Sequence, residues 1–361
     1  MCVCSFAARR TRPKQISAAY NVDFTPLKRQ MTPNLIRSYL RKISSFPRLS
    51  PKSTSASKKD FALQTPMQSN SAAISQIAIE RELPDIVPLT PEIDLVSARV
   101  GKLMTLRNDV GVSECIRTTG VWASRDIKLF SHLIKPGMFV ADVGAYIGHH
   151  TVHFSHLCGV EGLVIAFEPQ RIPFRVLNAN LLLNGCSNVD AHHCAIGAAP
   201  ATVELWPHKP QANFGAVPVV VRRSGVVPTV EYKGERTYGT GGECIGLTTL
   251  DIMLSPHRKR GRKLEFIKID VQAFELFVLQ GAQDILAVDR PLVFFEVSPY
   301  WMDVLMGYNY LEIYEFFDGI GYSVVDPHGD HNKPSHRRWS GDQDEEWDCL
   351  AIPRKDQQRR F

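Results

Sequence analysis

The sequence has no uninterrupted run of about 18 apolar residues, the length that a membrane-spanning helix needs, anywhere in its 361 residues. It also lacks the charged start followed by a long apolar stretch that is typical of a secretory signal. Its eight cysteines are scattered, and only Cys2 and Cys4 are close together, so neither a zinc site nor a disulfide framework is predicted. We therefore expect a soluble protein of a reducing compartment, the cytoplasm unless a targeting segment directs it elsewhere.

Acidic residues are nearly absent from residues 1–79, which hold thirteen Lys and Arg against Asp23 and Asp60. This segment is rich in Ser and Pro and cannot bury enough apolar surface to fold alone, so a disordered leader is expected. Two alternatives are an organelle transit peptide, which would place the protein in an organelle matrix, and translation that begins at Met31. The remaining residues are mildly acidic, so no nucleic-acid partner is expected.

Short apolar runs rich in β-formers alternate with helical segments from Gly137 onward, which is the pattern of βαβ units. Residues 80–136 are expected to lead into this domain, residues 137–353 to form it, and residues 354–361 to be a basic tail. Residues 206–246 are rich in Gly and Pro and interrupt the alternation, so a long loop is expected on the substrate side. Strands are predicted at 138–143, 162–167, 189–195, 266–270, 292–296, 323–326 and 349–352, and helices at 147–157, 173–183, 274–286 and 310–320.

The predicted fold class is therefore α/β and Rossmann-like, with a mostly parallel central sheet, helices on both faces and an antiparallel edge strand. The first strand runs into a glycine-rich turn in the segment 139–148, FVADVGAYIG. Gly144 would let the backbone approach a ligand, and Gly148 would let the next helix start tightly against the turn. Tyr146 stands where the dinucleotide fingerprint needs its middle glycine, so a nicotinamide oxidoreductase is disfavoured but stays an alternative.

Acidic residues end four of the predicted strands: Asp142, Glu168, Asp270 and Glu296. Ligands of open α/β sheets bind at the carboxyl ends of the strands, so these side chains are expected on one rim. Glu168 is suited to accept hydrogen bonds from the two hydroxyls of a ribose. Asp270 has two interpretations: it positions or deprotonates an attacking hydroxyl, or it caps a helix that begins near Gln272.

Many short motifs in one order resemble the FkbM family of methyltransferases from about Thr105 to Pro353. The matching segments are GVW (120–122), DVGAYIGHHT (142–151), AFEP (166–169), LNANLLLN (177–184), NFGA (213–216), TTLD (248–251), FIKIDVQAFE (266–275), VLQGA (278–282), RPLVFFE (290–296) and DCLAIP (348–353). The resemblance implies a class I methyltransferase fold and transfer of a methyl group from S-adenosylmethionine to a hydroxyl of a small-molecule or saccharide acceptor. It also implies that Glu168 holds the ribose of the cofactor and that Asp270 lies near the acceptor. The residues implied to hold the amino-acid end of the cofactor are Asp142, Gly144, Ala145 and Gly148.

The sequence departs from the family where the family commonly reads DVEG, because this chain has Gln272 and Ala273 there. The lost acid removes a possible base or metal ligand, and Ala in place of Gly is expected to forbid a positive φ. An altered substrate is one interpretation, and a cofactor-binding module with weak or no catalysis is another. His149 and His153 have metal-ligand spacing, but no carboxylate or cysteine completes the set nearby, so no metal site is expected.

Overall fold

The structure is a computed structural model that describes residues 84–205, 219–220, 229–232, 235–238, 243–329 and 337–354. All of them lie in the second of the two units into which the chain divides, Glu82–Phe361. The predicted leader, the tail beyond residue 354, the NFGA motif and most of the predicted 206–246 loop lie outside the described residues. Within the described part, no helix is long and apolar enough to cross a bilayer.

A small antiparallel sheet precedes the main one. It contains β1 (Ile86–Pro88), β2 (Ile93–Ala98) and β3 (Gly101–Leu106), and two helices follow, α1 (Val112–Thr119) and α2 (Ser124–Leu133). The later elements are, in chain order, β4 (Phe139–Val143), α3 (His149–Cys158), β5 (Leu163–Phe167), α4 (Arg171–Leu183), β6 (Val189–His192), β7 (Ala195–Ile196), β8 (Ala201–Leu205), β9 (Val219–Val220), β10 (Thr229–Tyr232), β11 (Glu235–Tyr238), β12 (Cys244–Thr248), α5 (Leu250–Lys259), β13 (Leu264–Ile269), α6 (Glu275–Gln280), α7 (Gln283–Val288), β14 (Leu292–Val297), α8 (Pro299–Trp301) with a π-helical turn (Met302–Met306), α9 (Leu311–Gly319), β15 (Tyr322–Val325) and β16 (Trp347–Pro353).

The central sheet has the strand order β15-β16-β14-β13-β4-β5-β6. Strand β16 runs antiparallel to both of its neighbours, while β14, β13, β4, β5 and β6 are parallel to one another. The predicted α/β class is confirmed. The antiparallel strand lies one position in from the edge, because β15 takes the edge itself.

Successive residues of β4 face opposite sides of this sheet, as strand geometry requires. Ala141 packs with the buried residues of α6, α7 and α9, whereas Val140 packs with those of α2 and α3. Both faces are therefore covered by helices. Because the faces are covered, the edge formed by the carboxyl ends of the parallel strands is the part of the sheet that stays open to a ligand.

Two asparagines of the LNANLLLN motif attach the small sheet to α4. The buried Asn180 amide accepts a hydrogen bond from the Met104 N–H and donates to the Met104 and Ile147 carbonyls. Asn184 pairs in the same way with the backbone of Lys102. Since each amide satisfies backbone groups of a second element, these residues hold β3 against the domain.

Two predicted elements are each split in the structure. The strand predicted at 189–195 ends at His192, and Ala195–Ile196 joins β12 in a separate four-stranded sheet. The helix predicted at 274–286 breaks between α6 and α7 at Gly281, where a Cβ would lie 2.0 Å from the Gly197 carbonyl oxygen. Both errors have the same cause. Strand β7 pairs with β12, and Gly197 packs against Gly281, and both partners are distant in the sequence.

Candidate active site

The carboxyl ends of β4, β5, β13 and β14 open into one pocket with about 1090 Å³ of empty space, part of it open to solvent. Its walls include Trp122 before α2, the turn 143–146, residues 167–170 after β5, and residues 194–196. The acidic side chains Asp270, Glu296 and Glu346 line it together with Lys268. Pockets of this size and position take small ligands in open α/β folds.

The glycine turn is shaped by contact with the neighbouring strand. Gly144 has a φ of +84°, and a Cβ there would lie 1.8 Å from the Asp270 carbonyl oxygen. Gly148 has a φ of +86°, and a Cβ there would meet Leu177 of α4. Glycine is thus needed at both positions for backbone conformation and for close packing.

The backbone donors of the turn are already used within the protein. The N–H groups of Gly144 and Ala145 both donate to the Phe167 carbonyl, at 3.0 and 2.9 Å. The next N–H, that of Tyr146, donates to Glu168 Oε2 at 2.8 Å. The turn is therefore held against the end of β5, and the pocket wall it forms is provided by Gly144, Ala145 and Tyr146.

Glu168 is buried at the end of β5 and lines the pocket. One carboxylate oxygen accepts from the Tyr146 N–H and the other from the Gln170 N–H, at 2.8 and 2.7 Å. Burial raises the pKa of this carboxyl to about 7, although the two backbone hydrogen bonds lower the pKa in part. Each oxygen keeps a second lone pair, so the group can still accept hydrogen bonds from a ligand.

Lys268 joins two of the predicted acids from within β13. Its buried ammonium lies 3.5 Å from Asp142 Oδ1 and 3.4 Å from Asp270 Oδ2, and it donates to the Gly144 carbonyl at 3.1 Å. Burial alone would lower the pKa of Lys268, but the charges of Asp270 and Asp142 outweigh it and raise the pKa. Asp142 itself is fully buried, accepts from Thr151 Oγ1, and is absent from the described pocket lining.

Gln272 links the two acids on the other side of the pocket. Its Nε2 donates to Asp270 Oδ1 at 3.0 Å and to Glu296 Oε2 at 3.2 Å. Burial, followed by the charge of Asp270, raises the pKa of Glu296 well above its usual range. An amide at this position therefore separates two carboxylates that would otherwise repel each other.

Two expectations about this segment are wrong. Asp270 does not cap a helix, because its carboxylate bonds to Gln272 and faces Lys268. Helix α6 begins only at Glu275, and the Glu275 side chain accepts a hydrogen bond from the Val271 N–H. Ala273 has a φ of +70° and Gln272 a φ of +57°, so the loss of the family's glycine does not prevent a positive φ. The surrounding contacts hold both residues in a conformation that L-residues seldom adopt.

The paired histidines of α3 bond to different partners. His149 Nε2 accepts from the Trp122 N–H, whereas His153 contacts Ser131 Oγ and the Ile127 carbonyl. Burial lowers the pKa of His149 to about 3, so its ring is neutral. Trp122 and Lys268 line the pocket although no sequence argument gave them a role. A signal existed for Lys268, because a lone charge within the apolar run FIKI is unusual in a buried strand.

The sheet order, the glycine turn and the acidic strand ends together define the Rossmann-like fold of class I methyltransferases. A family model described as the methyltransferase FkbM domain matches residues 142–324, and the chain belongs to this family.

Among curated relatives, methyltransferase sdnD of Sordaria araneosa is 28% identical over 163 residues, which are 40% of this chain and 61% of that protein. The 31-O-demethyl-FK506 methyltransferase FkbM of Streptomyces tacrolimicus is 30% identical over 217 residues, 53% of this chain and 75% of that protein. A crystal structure of methyltransferase FkbM from Methylobacillus flagellatus KT aligns with a TM-score of 0.35 at 16% identity, over 62% of this chain and 50% of that one. The match to sdnD thus covers less than two thirds of that relative.

Proposed function

We propose that this protein transfers a methyl group from S-adenosylmethionine to a hydroxyl of a small-molecule or saccharide acceptor. The observation that carries the proposal is Glu168, a buried carboxylate fixed by two backbone N–H groups at the end of β5 with lone pairs left for a ligand. Membership of the FkbM methyltransferase family supports methyl transfer over hydride transfer.

The pocket fits the cofactor. Glu168 would accept hydrogen bonds from the vicinal ribose hydroxyls, and the backbone wall at Gly144 and Ala145 would lie against the amino-acid end. Asp142 and Gly148 would act indirectly, Asp142 by holding Lys268 and Gly148 by letting α3 start against α4. When bound, S-adenosylmethionine supplies a methyl group that its sulfonium already activates.

Asp270 would orient the acceptor hydroxyl. Its carboxylate is one-third exposed, and Lys268 and Gln272 hold it in place from two sides. The hydroxyl oxygen would form the new bond to the methyl carbon while the methyl–sulfur bond breaks, and its proton would pass to Asp270 Oδ. Alignment of the hydroxyl with the methyl group contributes a large share of the rate in such a displacement.

Calorimetric titration of S-adenosylmethionine into the full chain tests the cofactor site. The wild type should bind, and Glu168→Ala should weaken binding at least tenfold, because a charged hydrogen-bond acceptor for the ribose is lost. Glu161→Ala, which removes an exposed carboxylate in the turn before β5, should bind as the wild type does. A folded wild-type protein that does not bind the cofactor would refute the proposal.

The alternative of a non-catalytic binding module is distinguished by a second measurement. Transfer of labelled methyl from S-adenosylmethionine to hydroxyl-bearing metabolite extracts should be detectable, and Asp270→Asn should reduce it while leaving cofactor affinity nearly unchanged. Retained cofactor binding without transfer to any extract would favour the binding module. If Asp270→Asn abolished cofactor binding, Asp270 would be a cofactor ligand and its proposed role would be wrong.

A further inference from the structure

A second group of polar side chains lies beside the pocket and takes no part in the proposed reaction. Asp126 in the first turn of α2, His328 after β15 and Asp348 in β16 each offer one ligand atom, and these atoms all lie within 4.8 Å of one another. His328 Nε2 is 2.7 Å from Asp126 Oδ1. Among the described residues it is the only such set of three.

The third member, Asp348, has a carboxylate without a partner among the described residues, which a bound cation would explain. Its half-buried carboxylate forms neither a hydrogen bond nor an ion pair with any residue in the described part of the chain, while Asp126 and His328 are paired. The two carboxylates face a single imidazole, so the cluster has more acceptor oxygens than His328 alone can satisfy. A half-buried carboxylate without such a partner is stabilised when a cation binds next to it.

The backbones of His328 and Asp348 are each fixed by contacts outside the cluster. The backbone of His328 is held by Asp326 Oδ1, which accepts from the His328 N–H at 2.8 Å. Asp348 is paired in register with Glu296 across β16 and β14. Donors that are held by three separate elements need little rearrangement to close around an ion.

We propose that Asp126, His328 and Asp348 bind a divalent cation of the Mn²⁺ or Zn²⁺ class. Two carboxylate oxygens and one imidazole nitrogen suit these ions, and three protein ligands leave further positions for water. The site lies next to the acceptor end of the pocket, because Glu346, two residues before Asp348, lines that pocket. The ion would therefore neutralise the acidic wall without contacting Glu168. The inference does not depend on the proposed methyl transfer.

Electron paramagnetic resonance of Mn²⁺ added to the full chain tests this site. The six-line signal of free Mn²⁺ should fall until one equivalent is bound, and Asp348→Asn should raise the dissociation constant at least tenfold. This variant is the least disturbing one, since the Asp348 side chain makes no hydrogen bond to the described residues that the substitution would break. Pulsed measurements should show a coupling to ¹⁴N in the wild type that disappears in His328→Ala.

Matched controls are Asp303→Asn and His132→Ala, both of which change exposed residues outside the cluster and should bind Mn²⁺ as the wild type does. Far-UV circular dichroism and thermal unfolding establish that each variant is folded. The proposal is overturned if the wild type leaves Mn²⁺ and Zn²⁺ free at millimolar concentrations, or if Asp348→Asn and His328→Ala bind as the controls do. Cofactor titration of the same variants is a separate readout, so failure of this site and failure of the cofactor site are distinguishable.

Discussion

Individual residues at the centre of the pocket are constrained by close contacts with their protein neighbours. Gly144 is the clearest case, because its absent side chain makes room for the Asp270 carbonyl, 1.8 Å from an ideal Cβ. The glycine turn was predicted for close approach to a ligand, and its close approach to the backbone at Asp270 was not foreseen. The turn is therefore in direct contact with the segment that carries Asp270.

Gly144→Ala should destabilise the protein severely. Gly137→Ala is its matched control, because Gly137 has nearly the same φ, +85°, yet nothing lies within 4 Å of its Cβ position. Both variants bear the strain of a positive φ, and only Gly144→Ala also bears the collision, which should add about 3 kcal/mol or more to the loss in free energy of unfolding. Urea unfolding of the two proteins measures the difference. Equal losses would mean that the turn can move away from Asp270.

Glu168 should make the stability of the protein depend on pH. Its pKa is about 7 in the folded protein against an ordinary value of 4.5, so the folded state binds the proton more tightly. The resulting stability is fully present below pH 4.5 and is lost as pH rises through 7, by about 2 to 4 kcal/mol in total. Glu168→Gln has no titrating group there, so its free energy of unfolding should fall less between pH 5 and pH 8.

Urea unfolding at both pH values checks this expectation, with Glu161→Gln as the control that keeps the wild-type pH dependence. The same Glu168→Gln variant should bind S-adenosylmethionine more weakly. Buried carboxyl groups with a raised pKa, which lower the stability of the protein near neutral pH, are typical of functional sites. Identical pH dependence in the wild type and Glu168→Gln would show that the buried carboxyl titrates normally.

At the scale of elements, the TTLD motif connects two helices. Thr249 caps α5 by accepting from the Ile252 N–H. Asp251, in the first turn of α5, accepts instead from the Asp284 and Ile285 N–H groups at the start of α7, both at 3.0 Å. The motif thus stabilises one helix locally and a second one at long range.

Asp251→Asn should lower the free energy of unfolding by about 1 to 2 kcal/mol, because an amide has one acceptor oxygen for two helix N–H groups and no charge near the helix N-terminus. Asp303→Asn, which changes an exposed aspartate of the short π-helical turn, should change it by less than about 0.5 kcal/mol. Thermal and urea unfolding compare the two. A loss no larger than that of Asp303→Asn would mean that water replaces Asp251 at α7 without cost.

The sequence predicted whether a segment is a helix or a strand more accurately than it predicted where each helix or strand ends. The strands and helices around β4, β5 and β13 were predicted, because an apolar run that ends in an acid and a turn is a local signal. The breaks at His192 and Gly281 were not predicted. They depend on Ala195 pairing with β12 and on Gly281 packing against Gly197, and neither partner is adjacent in the sequence.

At the scale of the whole molecule, cofactor binding should stabilise the fold as a unit. The pocket is built from β4, β5, β13 and β14, which lie in one sheet, so a ligand there binds only the folded state. At a concentration about 100 times the dissociation constant, S-adenosylmethionine should raise the free energy of unfolding by about 2.7 kcal/mol. Thermal unfolding of the full chain with and without the cofactor measures this. Glu161→Ala should show the same increase, and an unchanged midpoint in the wild type would contradict the proposed cofactor site.

The sequence by itself determined the α/β class, the family and the row of acids at the strand ends, because each of these is carried by short segments whose order along the chain is enough. Only the tertiary structure decided how those acids are used. Lys268 reaches Asp142 on the adjacent strand as well as Asp270 at the end of its own strand, and Gln272 joins Asp270 to Glu296. Such charge balances depend on distances between side chains of different elements, as does the meeting of Asp126 with His328, 202 residues apart. Spacing within a segment contains no information about them.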